Sequence, residues 1–349
     1  MGERLRIGVL GAGPIAQIGH LEACRKAVNA ELYAICDVAE DLLERVAAVH
    51  PPVRTFAGYE AMLADPGVDA VIVAIADEFH VEAARQALAA GKPVLVEKPL
   101  GISAAECAPL CREVEASGLI LQVGTMRRFD PGIAFAQRFV REQLGELIAL
   151  KAWYCDSAYR YSMTDTLQPV VERSASARRP PGDPKDDRRR YLMLGHGSHL
   201  VDTARFLAGD IVRVSARLVE TAGILCWFVA CDFAGGATGH LDLTMSVRMD
   251  WHEGFQVYGS RGSVLGRTFQ PWYLRASEVE CFSAADRAYH RPLGEDADFF
   301  RRQVEGFARA VLDDTPPEGA TAADGLAALE VIEAIERSVA TGSPADVGG

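Results

Sequence analysis

The sequence predicts an α/β protein with two parts. A doubly wound parallel sheet occupies residues 1–127, and an α+β domain with an open, mainly antiparallel sheet occupies 128–349. Three observations carry this reading. Short apolar runs alternate with helical patterns as far as Val123. The first of these runs ends in Gly11-Ala12-Gly13, and a helical pattern opens directly after it. Beyond Asp210, long β-type runs are separated by tight turns.

The strands of the first part are expected at Leu5–Leu10, Leu32–Cys36, Val53–Phe56, Ala70–Ala74, Val94–Val96 and Ile120–Val123. Strands covered on both faces should be continuously apolar, as the run Val71–Ala76 is. Between them, Ile15–Asn29, Ala39–Val49, Val81–Ala90 and Ala104–Ser117 carry Ala, Leu, Glu and Arg at helical spacing. After Arg127 the pattern changes. A helix near Pro131–Gln143 leads to an extended run, Leu147–Asp156, and a short helix is expected near His196–Leu207. Ile224–Phe233 and Thr238–Val247 flank Gly235-Gly236, a hairpin signal. Two helices, Asp298–Leu312 and Ala323–Ala340, close the chain. The polar, proline-rich stretch Thr164–Arg190 has no periodicity, and it reads as a surface insertion or as a mobile lid over substrate.

Composition narrows the function classes. The 349 residues hold 36 Lys and Arg against 48 Asp and Glu, a net charge of −12. Without a net basic field, nucleic acid and anionic membranes are excluded as partners. No run approaches the roughly 20 apolar residues of a membrane span, and the N-terminus reads as a strand, not a secretion signal. Eight scattered cysteines without a CxxC pair suit reduced thiols, and hence a cytoplasmic protein.

Gly11-Ala12-Gly13-Pro14-Ile15-Ala16 joins the first strand to the first helix. Gly11 permits the turn, and Gly13 lets backbone N–H groups approach a pyrophosphate at the helix N-terminus. Asp37 ends the second strand 24 residues after Gly13, where a carboxylate accepts from both ribose hydroxyls and repels a 2′-phosphate. NAD is therefore expected in preference to NADP. The fifth strand delivers Glu97-Lys98-Pro99 to its C-terminal edge, where ligands of such sheets collect. A partly desolvated lysine beside the cationic nicotinamide ring suits proton transfer, with Glu97 offsetting its charge or orienting it.

His196, His199 and Asp202 recur at a spacing of three, on one helical face. That set is short of ligands for zinc, so no metal is expected. Asp202 could orient His199 or pair with Arg205. Arg127, after the sixth strand, is a candidate for cofactor and substrate hydroxyls, and Tyr154 and Asp156 suit a polyhydroxylated ring. Tyr159, Tyr161, His240, Trp251 and His252 are weaker polar candidates.

With these motifs in place, the chain resembles the glucose–fructose oxidoreductase/inositol dehydrogenase (Gfo/Idh/MocA) family. The resemblance also rests on Ala76-Asp77-Glu78-Phe79-His80, Met126-Arg127-Arg128-Phe129, Gly197-Ser198-His199-Leu200-Val201-Asp202 and Tyr258-Gly259-Ser260-Arg261-Gly262-Ser263. It implies a Rossmann domain and an NAD-dependent oxidoreductase acting at a sugar or cyclitol carbon. Lys98 and His199 match the family's catalytic pair, with His196, Asp202 and Glu97 in support. Gly11, Gly13, Pro14, Ile15, Asp37, Ala74, His80, Glu97, Lys98 and Arg127 form the expected cofactor set. Lys98, Arg127, Tyr154, Asp156, His196 and His199 form the expected substrate set. Relatives are commonly homodimers or homotetramers built through the open sheet. The sequence departs from the family in one place: Gly195 stands where many relatives carry an acid four residues before the histidine. Two other activities remain open, an NAD-dependent glycoside hydrolase working by transient sugar oxidation and a non-catalytic NAD sensor.

Overall fold

The computed structural model describes residues 4–160, 167–182 and 184–348. Tyr161, Thr164–Thr166 and Asp183, named above as part of the polar stretch or beside it, lie outside the described residues. The chain divides into two compact units, neither contiguous in sequence. The first comprises 1–126, 168–186 and 299–326, and the second comprises 127–167, 187–298 and 327–349. The first division of the chain falls between Met126 and Arg127. The return of two later segments to the first unit is not visible in the local pattern.

In the first unit, β1 (Leu5–Leu10), β2 (Ala30–Cys36), β3 (Arg54–Phe56), β4 (Ala70–Val73), β5 (Val94–Val96) and β6 (Leu121–Val123) pair in parallel, in the order β6-β5-β4-β1-β2-β3. A two-residue strand, Ala320–Thr321, extends the β6 edge antiparallel. Ile7, Val9, Ile35, Val71, Ile72, Leu95 and Val96 are all buried, because helices cover both faces. The helix Phe299–Leu312 belongs here through Phe299, Phe300, Val304 and Phe307. Phe300 packs so closely on Gly19 that a Cβ there would lie 2.8 Å from its ring.

The second unit is built on a nine-stranded sheet. Its strands are β7 (Leu147–Ser157), β8 (Ile211–Thr221), β9 (Ile224–Phe233), β10 (Thr238–Val247), β11 (His252–Gly259), β12 (Gly262–Thr268), β13 (Glu278–Ser283) and β14 (Ala288–His290). The order is β14-β13-β12-β11-β7-β10-β9-β8, with Ala345–Asp346 on the β8 edge. All pairings are antiparallel except β7 with β10. The burial of β9 and β10 alternates, so one sheet face is covered and the other open. The helix Ser198–Ala208 packs on β7, and this places His199 against Tyr154.

Candidate active site

The first unit contains a cleft of about 480 Å³ at the C-terminal ends of β1, β2 and β4. Gly11, Gly13, Pro14, Ile15, Asp37 and Ala74 line it together, as expected for a nucleotide cradle. Gly11 has φ +100°, and a Cβ there would lie 2.4 Å from the Ala74 carbonyl oxygen. Any side chain would therefore push the turn off β4. A Cβ at Gly13 would meet nothing within 4 Å, so that residue faces open cleft where a pyrophosphate can approach the backbone. The Asp37 carboxylate accepts from the Ala12 and Ala39 N–H groups, each at 2.8 Å, which ties the glycine turn to the end of β2. Carboxylate, open backbone and cavity fit a dinucleotide.

Glu97 lies at the end of β5, 5% exposed, and accepts a hydrogen bond from His20 Nε2 at 2.7 Å. Burial alone would raise its carboxyl. The His20 hydrogen bond and the charges of His20, Lys98 and His80 outweigh that, and hold it below the ordinary carboxylate range. Its second oxygen accepts from the Lys98 N–H at 3.1 Å. Gly124 at the end of β6 makes the room, since a Cβ there would come within 3.1 Å of Glu97. His20 is a residue that sequence reasoning missed; its signal was a histidine in the first helix of a nucleotide-binding unit.

His80 takes a different role from the one expected. It is fully buried, with Nδ1 2.7 Å from the Pro99 carbonyl and Nε2 3.2 Å from the Ile75 carbonyl. It joins the loops after β4 and β5, and so positions the Lys98–Pro99 segment.

In the second unit, Tyr154 of β7 gathers both histidines. Its hydroxyl lies 3.2 Å from His196 Nδ1, and its ring is parallel to that of His199, with centroids 6.2 Å apart. Trp251 meets Tyr154 edge-on at 4.9 Å. Burial, with the nearby Glu253 charge, raises the Tyr154 phenol well above its ordinary value. The hydroxyl therefore stays protonated at neutral pH, within hydrogen-bond distance of His196 Nδ1. His196 sits in a wide helical turn, Met193–Gly197, that runs into the helix carrying His199. A Cβ at Gly195 would meet nothing within 4 Å, so the missing acid is not a steric requirement of the turn.

Three expected substrate or support residues are engaged elsewhere. The Arg127 guanidinium, 2% exposed, donates to Glu253 Oε2 and to the Phe269 carbonyl. It holds β11 and the end of β12, and is not the open hydroxyl donor expected. Asp202 is buried, 1% exposed. It takes the Arg128 guanidinium fork at 2.8–3.2 Å, while Arg205 pairs with Asp210. Asp156 is paired with Arg160 at 3.0 Å, and burial raises its carboxyl. Glu253 was missed altogether. Burial pushes its carboxyl up to about 7, against the pull of Arg127 and the Trp251 indole N–H. Its place on the inward face of β11 was the available signal. Among the described residues, no group of three or more His, Cys, Asp and Glu side chains could hold a metal ion.

Two family models cover most of the chain. One, described as an oxidoreductase family with an NAD-binding Rossmann fold, matches residues 5–125, and the GFO/IDH/MocA C-terminal domain matches 167–265. The chain belongs to the GFO/IDH/MocA oxidoreductase family. Inositol 2-dehydrogenase 2 of Saccharopolyspora erythraea is 28% identical, over 98% of this chain and 95% of its own. Myo-inositol 2-dehydrogenase of Thermotoga maritima is 27% identical, over 96% of each chain. The crystal structure of an oxidoreductase domain protein from Kribbella flavida has the same fold, with a TM-score of 0.80 at 23% identity and full coverage of both chains. The GFO/IDH/MocA assignment makes NAD the cofactor. No helix among the described residues is long and apolar enough to cross a membrane.

Proposed function

We propose that the protein is an NAD-dependent dehydrogenase of a cyclitol or sugar hydroxyl carbon, working in the cytoplasm. The observation that carries this reading is the cleft in which the open face of Gly13 and the Asp37 carboxylate meet. Full-length similarity to inositol 2-dehydrogenases supports the substrate class. Gly11, Gly13, Pro14 and Ile15 hold the pyrophosphate, and Asp37 accepts from the adenosine ribose. When bound, NAD supplies the hydride acceptor at its nicotinamide ring.

The remaining work falls to side chains. The substrate hydroxyl loses its proton to His199, or to Lys98 acting with it. Glu97, held anionic by His20, sets the charge beside Lys98. Tyr154 and His196, joined through the phenol hydroxyl and Nδ1, meet a second substrate hydroxyl. In place of the acid absent at Gly195, this pair supplies the polar group next to His199. A homodimer or homotetramer forms through the nine-stranded sheet, whose open face exposes Val219, Phe228 and Leu265.

The test is incubation with NAD and a panel of inositols and cyclic sugars, followed through NADH absorbance. Stoichiometric NADH with one of these substrates is the expected result. Glycoside cleavage without net NADH means a redox-assisted hydrolase, and NAD binding without turnover of any substrate in the panel counts against the dehydrogenase reading.

A further inference from the structure

We propose that Glu172–Arg178 is a strap across the NAD cleft, and that Arg178 supplies the cation that meets the cofactor's diphosphate. The inference rests on the first unit holding NAD. In this reading, part of the stretch expected as a surface insertion or a lid over substrate is directed at the nucleotide.

The strap is built onto the nucleotide-binding residues themselves. The buried Gln17 amide donates to the Ala12 carbonyl at 2.7 Å and to the Glu172 carbonyl at 3.0 Å. Its oxygen accepts from the Glu172 N–H at 2.8 Å. One side chain therefore grips the glycine turn and the strap at once. From the helix Glu40–Val49, Arg45 reaches the Glu172 carboxylate at 3.0 Å and the Arg173 carbonyl at 2.9 Å. The hydroxyls of Ser174 and Ser176 both donate to Asp41 Oδ1, at 2.7 and 2.6 Å. These two bonds, with Arg45, hold the Asp41 carboxyl down at about 2. The helix so gripped begins three residues after Asp37.

The strap ends at the cleft. Ala177 and Arg178 line it together with Gly11, Gly13 and Asp37, and the Arg178 guanidinium lies 4.5 Å over the Phe79 ring. The charge balance gives this placement its meaning. Among the described residues lining the cleft, Arg178 is the single cation, while Asp37 and Glu82 are carboxylates. Without it, a diphosphate carrying two negative charges would enter a cleft whose lining side chains are all neutral or acidic. Arginine also suits phosphate by geometry, with paired N–H donors.

Four proteins test this: wild type, Arg178→Met, Arg178→Lys and the strap-release variant Ser174→Ala/Ser176→Ala. NADH affinity is measured by fluorescence titration, its off-rate by rapid dilution, and strap exposure by limited proteolysis of the apo and NADH-bound forms. Arg178 is exposed, so its substitution leaves the fold intact. Arg178→Met should weaken NADH and ADP-ribose alike by roughly tenfold, the scale of one charge-assisted hydrogen bond, and Arg178→Lys should recover part of the loss. The serine variant should release NADH several-fold faster, and NADH should protect the wild-type strap from cleavage. Unchanged affinity and off-rate in Arg178→Met would overturn the proposal, as would a loss seen with NADH but not with ADP-ribose. Wild type that fails to bind NADH would instead overturn the NAD reading on which the proposal rests.

Discussion

His20 and Glu97 form a buried pair, Nε2 to Oε1 at 2.7 Å, directly before the lysine expected to handle the substrate proton. The pair fixes the charge next to Lys98 without exposing either partner to solvent. Glu97→Gln should lower the melting temperature at neutral pH by removing a charge-assisted bond worth about 1.5–3 kcal/mol. Because the folded carboxyl is held below its ordinary value of 4.5, its stabilisation is present above that pH and is lost as pH falls through the folded value. Thermal melts of both proteins across acid pH should therefore converge. A gap unchanged at low pH would show that Glu97 acts by packing alone.

Glu253 gives the opposite sign. Its folded carboxyl is raised to about 7, so the stability it contributes is present below its ordinary 4.5 and is lost as pH rises towards 7. Relative to Glu253→Gln, which stays neutral, wild type should lose melting temperature between those two values. Parallel curves for the two proteins over that range would place the Glu253 proton elsewhere.

Asp37 should favour NAD over NADP by at least roughly tenfold, or about 1.4 kcal/mol. Its carboxylate also accepts from the Ala12 and Ala39 N–H groups, so alanine would disturb the glycine turn as well. Asp37→Ser with Val38→Arg keeps an acceptor and offers a partner to the 2′-phosphate, and should narrow or invert the preference. Equal wild-type affinity for both cofactors in a binding titration would contradict the ribose role.

Lys98→Met and His199→Gln should each lower turnover by roughly 10²–10⁴, the usual scale for a general acid–base group. NADH affinity should move much less. If the two act together, the double variant should be little worse than the poorer single one. Tyr154→Phe removes the hydroxyl beside His196 Nδ1 and should shift the pH profile of turnover, more than NADH affinity. Should His196→Gln abolish turnover while His199→Gln leaves it intact, the base lies three residues earlier.

What the sequence determined by itself is short-ranged. Strand and helix order, the glycine turn at Gly11, the carboxylate ending β2 and the Glu97-Lys98-Pro99 strand end all follow from apolar periodicity and turn sterics within a few residues. The histidine helix and the hairpin at Gly235-Gly236 are legible for the same reason. The tertiary structure decided how buried charges are partnered. Arg127 and Glu253 are 126 residues apart, His20 and Glu97 are 77 apart, and Gln17 and Glu172 are 155 apart. A buried ion or amide must find a partner wherever the chain happens to return, because leaving it unpaired would cost several kcal/mol. That demand carries no sequence period. It withdrew Arg127 and Asp202 into structural pairs, made His80 a brace between two loops, and drew the polar stretch after Leu167 back onto the nucleotide-binding unit.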